Sequence, residues 1–137
     1  MKPIVSRLRS QVTALLLLAA LPLAFAGEVK LTGANEVPPV DTAATGAGTI
    51  TIADDGSVSG SITTTGIAGT MAHIHVAPTG KNGPVIIPLS KSGDTWSVPS
   101  GAKLTDEQMK SYKAGDLYVN VHSDAHKGGE IRAQLTP

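Results

Sequence analysis

The sequence contains no cysteine, which excludes disulfides, thiolate metal ligands, a thiol nucleophile and a lipid-bearing cysteine. Aromatic residues are also scarce, because the 137 residues include only one tryptophan, two tyrosines and one phenylalanine. Few flat side chains are therefore present for stacking sugars or bases. The 11 lysines and arginines balance 11 acidic residues and form no cluster, so we expect no nucleic-acid partner.

The first 26 residues are typical of a secretory signal peptide. Three basic residues lie within the first nine positions, and the apolar run "ALLLLAALPLAFA" ends in the small-x-small tripeptide Ala24–Ala26. Pro22 interrupts this run, which is shorter than the roughly 20 residues of a membrane span. We therefore expect cleavage after Ala26, a periplasmic or secreted protein, and no membrane span after cleavage.

The remaining chain, residues 27–137, is predicted to form one domain. Its 111 residues suffice to bury roughly two-thirds of the surface of the unfolded chain. All acidic residues lie in this part, against eight basic ones, so its net charge is −3 with neutral histidines. No domain linker or low-complexity segment interrupts it.

Most of this domain is typical of β structure, because Val, Ile and Thr recur in short runs separated by glycine-containing turns. The expected strands cover residues 28–32, 47–53, 58–66, 70–78, 84–90, 94–99, 117–123 and 130–136. Short strands at this spacing predict an all-β sandwich or barrel of about eight antiparallel strands.

One short helix is expected near residues 105–114. Thr105 and Gln108 have the T-x-x-Q spacing of a capping box, and Gly115 is a suitable stop. Two apolar residues three positions apart are predicted to face the sheet: Met109 and Tyr112.

The stretch "TMAHIHVAP" carries the clearest chemical signal. Side chains alternate across a strand, so Met71, His73 and His75 share one face, and the opposite face is wholly apolar. In "LYVNVHS" the same rule separates His122 from two core valines. We therefore expect these three histidines to point away from the main core, towards solvent, a sheet edge or a groove.

Three strand histidines predict a metal site if their strands are neighbours. Imidazole suits copper, zinc, nickel and iron, and a thioether favours Cu(I), so copper with His73, His75 and His122 is the preferred set. Met71 is a candidate fourth ligand, and His126 could reach the site from its loop. The alternative is that these histidines are incidental on the exposed faces of strands.

Other catalytic patterns are missing. The sequence has no G-x-S-x-G, H-E-x-x-H or phosphate-binding loop. Glu130 and Arg132 share a face of the last strand, and we interpret them as structural residues that pair with each other or with a neighbour.

Three blocks of the sequence resemble the CHRD domain, a module named for chordin that also occurs singly in exported bacterial proteins. They are "LTGANEVPPVDTAATGAGT", "AHIHVAPTGKNGPVIIPL" and "AGDLYVNVHSDAHKGGEIRAQL". The resemblance covers about residues 28–136 and implies an immunoglobulin-like or Greek-key β-sandwich or barrel. His73, His75 and His122 match the family's histidine positions, whereas His126 departs from its usual residue. In chordin the domain belongs to an extracellular growth-factor antagonist.

A looser similarity is to copper/zinc superoxide dismutase, which also has an H-x-H pair on one strand and a third copper ligand on a later one. The sequence therefore leads to three hypotheses. The first is an exported CHRD binding module that holds copper for storage, delivery or protection. The second is a structural or protein-interaction module without metal, and the third is a superoxide dismutase-like copper enzyme.

Overall fold

A computed structural model describes residues 26–137 of the chain. Within them the chain forms nine strands and one α-helix. The strands are β1 Ala26–Thr32, β2 Thr45–Ile52, β3 Val58–Thr65, β4 Gly69–Val76, β5 Val85–Pro88, β6 Ser90–Ser92, β7 Thr95–Ser97, β8 Leu117–Ser123 and β9 Ile131–Leu135. The helix α1 covers Asp106–Lys113. The predicted signal peptide lies outside the described residues, apart from Ala26.

All nine strands join one nearly closed, barrel-like antiparallel sheet in the order β5-β4-β8-β9-β1-β2-β3-β7-β6. The two edge strands, β5 and β6, follow each other in the chain and are separated only by Leu89. The Leu89 N–H donates to the Ala72 carbonyl of β4 at 2.9 Å, and Lys91 Nζ donates to the Gly69 carbonyl at 2.6 Å. These contacts bring the two edges together, so the sheet curls around one interior.

The interior of the sheet is filled by the apolar faces of the alternating strands. The side chains with no exposed surface are aliphatic, and burying each contributes about 1.5–3 kcal/mol before entropy is counted: Leu31, Ile62, Ile74, Leu117, Val119, Val121 and Ile131. Trp96, the single tryptophan, is 2% exposed and belongs to the same cluster. The predicted all-β class with one helix is confirmed.

Strand β6 is a ninth strand that the sequence analysis did not predict. Its three residues are all polar and exposed, so it carries no hydrophobic alternation that would mark it as a strand. Pairing with β7 and the turn at Gly93, where φ is +60°, create it. Tertiary pairing rather than local preference therefore determines this edge.

The helix begins and ends where the sequence predicts. Thr105 Oγ1 accepts the Gln108 N–H at 3.2 Å, and Gln108 Oε1 accepts the Thr105 N–H at 2.9 Å, which completes the capping box. Gly115 follows the last turn with φ of +81°, a conformation that glycine adopts without a Cβ penalty. Tyr112 is buried and Met109 packs against the core.

A second, polar layer lies on the outer side of β4, β8 and β9, beneath loops that cover this part of the sheet. Tyr118, Asn120 and Arg132 are each at most 1% exposed there. Arg132 donates to the carbonyl oxygens of Lys81 at 2.8 Å and Pro78 at 3.3 Å, so it ties the loop between β4 and β5 to β9. The outer face of this part of the sheet is therefore covered rather than open to solvent.

This covering corrects one sequence-based expectation. The histidines do face away from the main core, but His75 and His122 are each only 7% exposed, and His73 is half-buried. Alternation predicts which side of a strand a side chain faces. It contains no information about loops that fold over that side. No helix among residues 26–137 combines the length and apolar character needed to cross a bilayer.

Candidate metal centre

Strands β4 and β8 are hydrogen-bonded neighbours, so the two sequence stretches that carry the histidines lie side by side. In the antiparallel register Met71 is opposite His122, His73 is opposite Asn120, and His75 is opposite Tyr118. Side chains opposite each other on one face have Cβ atoms about 4.5–5.5 Å apart. The three histidines therefore form a compact triangle on the outer face, as the metal hypothesis requires.

The ring nitrogens of this triangle are close enough to share one ion. One nitrogen from each of His73, His75 and His122 lies within 4.8 Å of the other two. The shortest pair is His73 Nδ1 and His122 Nε2, at 3.1 Å. Two nitrogen ligands on a tetrahedral ion with bonds of about 2.0 Å are about 3.3 Å apart. This pair already has ligand spacing, and the third nitrogen needs to approach by at most about 1.5 Å.

Backbone carbonyls hold the outer nitrogens of two of the rings. His75 Nδ1 is 2.9 Å from the Gly83 carbonyl oxygen, and His122 Nδ1 is 2.8 Å from the Lys127 carbonyl oxygen. A carbonyl oxygen only accepts, so both Nδ1 atoms carry protons and each neutral ring keeps its lone pair on Nε2. Metal-binding histidines characteristically have such a partner on their second nitrogen. The donor set therefore fits a metal ion that prefers imidazole.

Stacking fixes the plane of the His75 ring. The Tyr118 ring lies parallel to it, with an interplanar angle of 4° and centroids 4.6 Å apart. On the other side of Tyr118, the guanidinium carbon of Arg132 is 3.5 Å from the ring centroid. Tyr118 Oη also accepts the Gly83 N–H at 3.2 Å, which secures the same loop that binds His75.

Residues 28–135, well over half of the chain, match the family model for the CHRD domain. The chain belongs to the CHRD-domain family. Comparison with curated proteins finds no match, and comparison with solved structures finds none either. The chemistry of this CHRD domain must therefore be argued from its own residues.

The two remaining sequence candidates occupy different positions in the domain. Met71 is directly across from His122 in the register and is 51% exposed, so it lies at the solvent edge of the triangle. His126 belongs to the turn after β8, and its Nε2 is 3.9 Å from Glu130 Oε1. Among the described residues, the three-histidine group does not include His126.

Burial lowers the pKa of two of the rings. The pKa of His73 is lowered first by burial and then by the neighbouring rings of His122 and His75. The pKa of His75 is also lowered by burial, although its hydrogen bonds to Gly83 and Asn120 act in the opposite direction. Both rings therefore present a free nitrogen lone pair at a lower pH than an exposed histidine does.

Two polar residues of this site were not predicted from the sequence. Asn120 Oδ1 is 2.9 Å from His75 Nε2, and the Asn120 side chain is 1% exposed. Asn120 lies on the same face of "LYVNVHS" as His122, and this alternation indicates a position near the histidines. Glu36 is 3% exposed, and its Oε1 has no hydrogen-bond partner among the described residues. No signal marked Glu36, because it lies in an irregular segment after β1.

Burial raises the pKa of the Glu36 carboxyl, with the Asn120 amide and the Arg132 guanidinium partly counteracting this. Glu130 and Arg132 each pair with neighbours rather than with each other. Glu130 Oε1 accepts from Ser123 Oγ at 3.0 Å, while Arg132 donates to oxygens of the loop. This is one of the two arrangements that the sequence left open.

Proposed function

We propose that this CHRD domain is an exported binding module that holds one copper ion through His73, His75 and His122. The observation that carries the proposal is the convergence of three imidazole nitrogens, two of them on rings whose outer nitrogens are bound to carbonyl oxygens. Metal storage, delivery or protection in the periplasm or outside the cell would suit such a module.

Copper is preferred among the metals that imidazole binds. Affinity for divalent first-row metals peaks at Cu(II) in sites of nitrogen and oxygen ligands. The exposed thioether of Met71, opposite His122, adds a soft ligand within reach that would support Cu(I). Zinc, with the same preference for imidazole and no need for softness, is the competing metal.

The test is a titration of the chain without its predicted leader. Cu(II), Cu(I) and Zn(II) are added in competition with chelators of known affinity, and one equivalent of copper is expected to bind. His73→Ala and His122→Ala should each reduce copper affinity at least about tenfold. Loss of a residue that only supports a metal ligand already has an effect of this size, so loss of a ligand itself should have no smaller one. His126→Ala is the matched control and should bind copper as the unmodified domain does.

Unchanged stoichiometry and affinity in both His73→Ala and His122→Ala would refute the proposal. That result would favour a structural or protein-interaction module, whose partner could be captured from the exported fraction. A superoxide dismutase-like enzyme needs a further property, which is superoxide turnover that depends on bound copper. The binding module is expected to show no such turnover.

A further inference from the structure

We propose that Asn120 is a fourth ligand, whose Oδ1 completes a site of three nitrogens and one oxygen and biases it towards Cu(II). This inference rests on the proposed function and names the oxidation state that the same site prefers. It also assigns Glu36 as the residue that orients the Asn120 side chain.

Asn120 lies at the centre of the polar layer. It is opposite His73 on β4 and opposite Arg132 on β9, and it separates Tyr118 from His122 along β8. Its Oδ1 is 2.9 Å from His75 Nε2, while His73 is its partner across the ladder and His122 is two residues further along the same strand face. Its carboxamide, almost wholly buried, therefore faces the space that a metal ion would share with the rings.

The contact between Asn120 and His75 calls for a cation. The Gly83 carbonyl requires a proton on His75 Nδ1, so the neutral ring presents a lone pair at Nε2. Asn120 Oδ1, itself an acceptor, is 2.9 Å from that nitrogen. Two acceptors at this distance repel each other. A proton between them, or a metal ion bound to both, would remove this repulsion. Adjacent ligands on one ion, with bonds of about 2.0–2.2 Å, have a spacing of about 3 Å.

A half-turn of the carboxamide would remove this repulsion by presenting Nδ2 to His75, but Glu36 opposes it. A Cβ built on Gly129 would overlap both Glu36 Oε1 and Asn120 Nδ2, so the two side chains approach each other beneath Gly129, although Oε1 has no hydrogen-bond partner among the described residues. With Glu36 ionised, rotation would place Oδ1 against the carboxylate and pair two acceptors there instead. Glu36 thus favours the orientation that directs Oδ1 at the histidines.

The ligand type has a chemical consequence. An amide oxygen is a harder ligand than the thioether of Met71, so an N3O site prefers Cu(II), whereas recruitment of Met71 prefers Cu(I). Asn120 and Met71 are therefore expected to favour opposite oxidation states of copper. Loss of Asn120 should weaken Cu(II) binding selectively, and loss of Met71 should weaken Cu(I) binding selectively.

The experiment measures Cu(II) and Cu(I) affinities and the Cu(II) electron paramagnetic resonance spectrum of the intact domain. Asn120→Ala is expected to lose at least about tenfold in Cu(II) affinity and less than threefold in Cu(I) affinity, with a changed spectrum. Asn120→Asp keeps an oxygen in place and should retain Cu(II) binding. Asn35→Ala is the matched control for Asn120→Ala, because it removes a carboxamide whose hydrogen bond goes to the Arg132 carbonyl rather than to a histidine.

A second measurement uses the unmodified domain, so its outcome does not depend on whether a variant folds. Zn(II), a diamagnetic probe of the same site, is titrated into the 15N-labelled unmodified domain, and the Asn120 side-chain amide signal is followed. Ligation through Oδ1 should shift this signal together with the histidine ring signals. Histidine shifts without any Asn120 shift, or an Asn120→Ala spectrum identical to that of the unmodified domain, would overturn the inference and leave the three-histidine proposal standing. Absence of all shifts and of copper binding would refute both.

Discussion

Arg132 is predicted to contribute more to stability than any other charged residue of the polar layer. Its guanidinium is buried, and it donates to the carbonyl oxygens of Lys81 and Pro78 and to the side chains of Asn82 and Gln134 at 2.8–3.4 Å. No carboxylate within 4.0 Å neutralises it among the described residues. The substitution to test is Arg132→Met, which keeps most of the volume and removes every donor.

The expected magnitude follows from these contacts. Hydrogen bonds from a charged donor contribute about 1.5–3 kcal/mol each, and the stack on Tyr118 adds about 1–2 kcal/mol when water is excluded. Against this stands the cost of burying the guanidinium, which also lowers its pKa. Because this cost cancels part of what the four hydrogen bonds contribute, the net loss on substitution should be about 3–5 kcal/mol, a large fraction of the 5–15 kcal/mol typical of a domain.

Urea unfolding followed by fluorescence measures this loss, because Trp96 is the only tryptophan and is buried. With a slope of about 1.5 kcal/mol per molar urea, the midpoint should fall by about 2–3 M. Arg132→Lys retains the charge but not the planar fork, so an intermediate loss is expected. A loss below about 1 kcal/mol for Arg132→Met would show that these hydrogen bonds do not hold the loop, and the reasoning would be wrong.

Two further predictions concern stability. Thr105→Ala removes the helix cap and should cost about 1 kcal/mol in urea unfolding without altering metal affinity; a change in metal affinity would contradict the separation of helix and site. Glu36 has a raised pKa in the folded state, so the native protein holds an extra proton above pH 4.5 and loses stability as pH rises through the raised value. Glu36→Gln lacks this loss, and its stability advantage should grow above pH 4.5 by up to about 1.4 kcal/mol per pH unit, as unfolding at pH 4–8 would reveal.

The sequence was sufficient for the strands that bury apolar residues. Alternation in β4 and β8 identified both the strands and their inner faces, because a period of two directly reflects backbone geometry. The helix was equally predictable, since its cap and stop are local signals. Strand β6 was not, because its three polar residues pair only when the sheet curls and the two edges meet.

The three histidines of the candidate site were also within reach of sequence reasoning. His73 and His75 share a face by alternation, and only the pairing of β4 with β8 was needed to add His122. Glu36 was out of reach, because it is more than 80 positions from Asn120 in the chain. Its approach to Asn120 depends on how the segment after β1 crosses the outer face, which no periodicity encodes.

The position of the site explains why one strand can serve two purposes. The inner residues of β8, Val119 and Val121, have no exposed surface and belong to the apolar core of the sheet. Its outer residues are polar and need partners because loops exclude water from them. The outer nitrogens of His75 and His122 find such partners by donating to the carbonyl oxygens of Gly83 and Lys127. The inner nitrogens face one another and Asn120, so a metal ion is the partner that would bind all of these atoms at once.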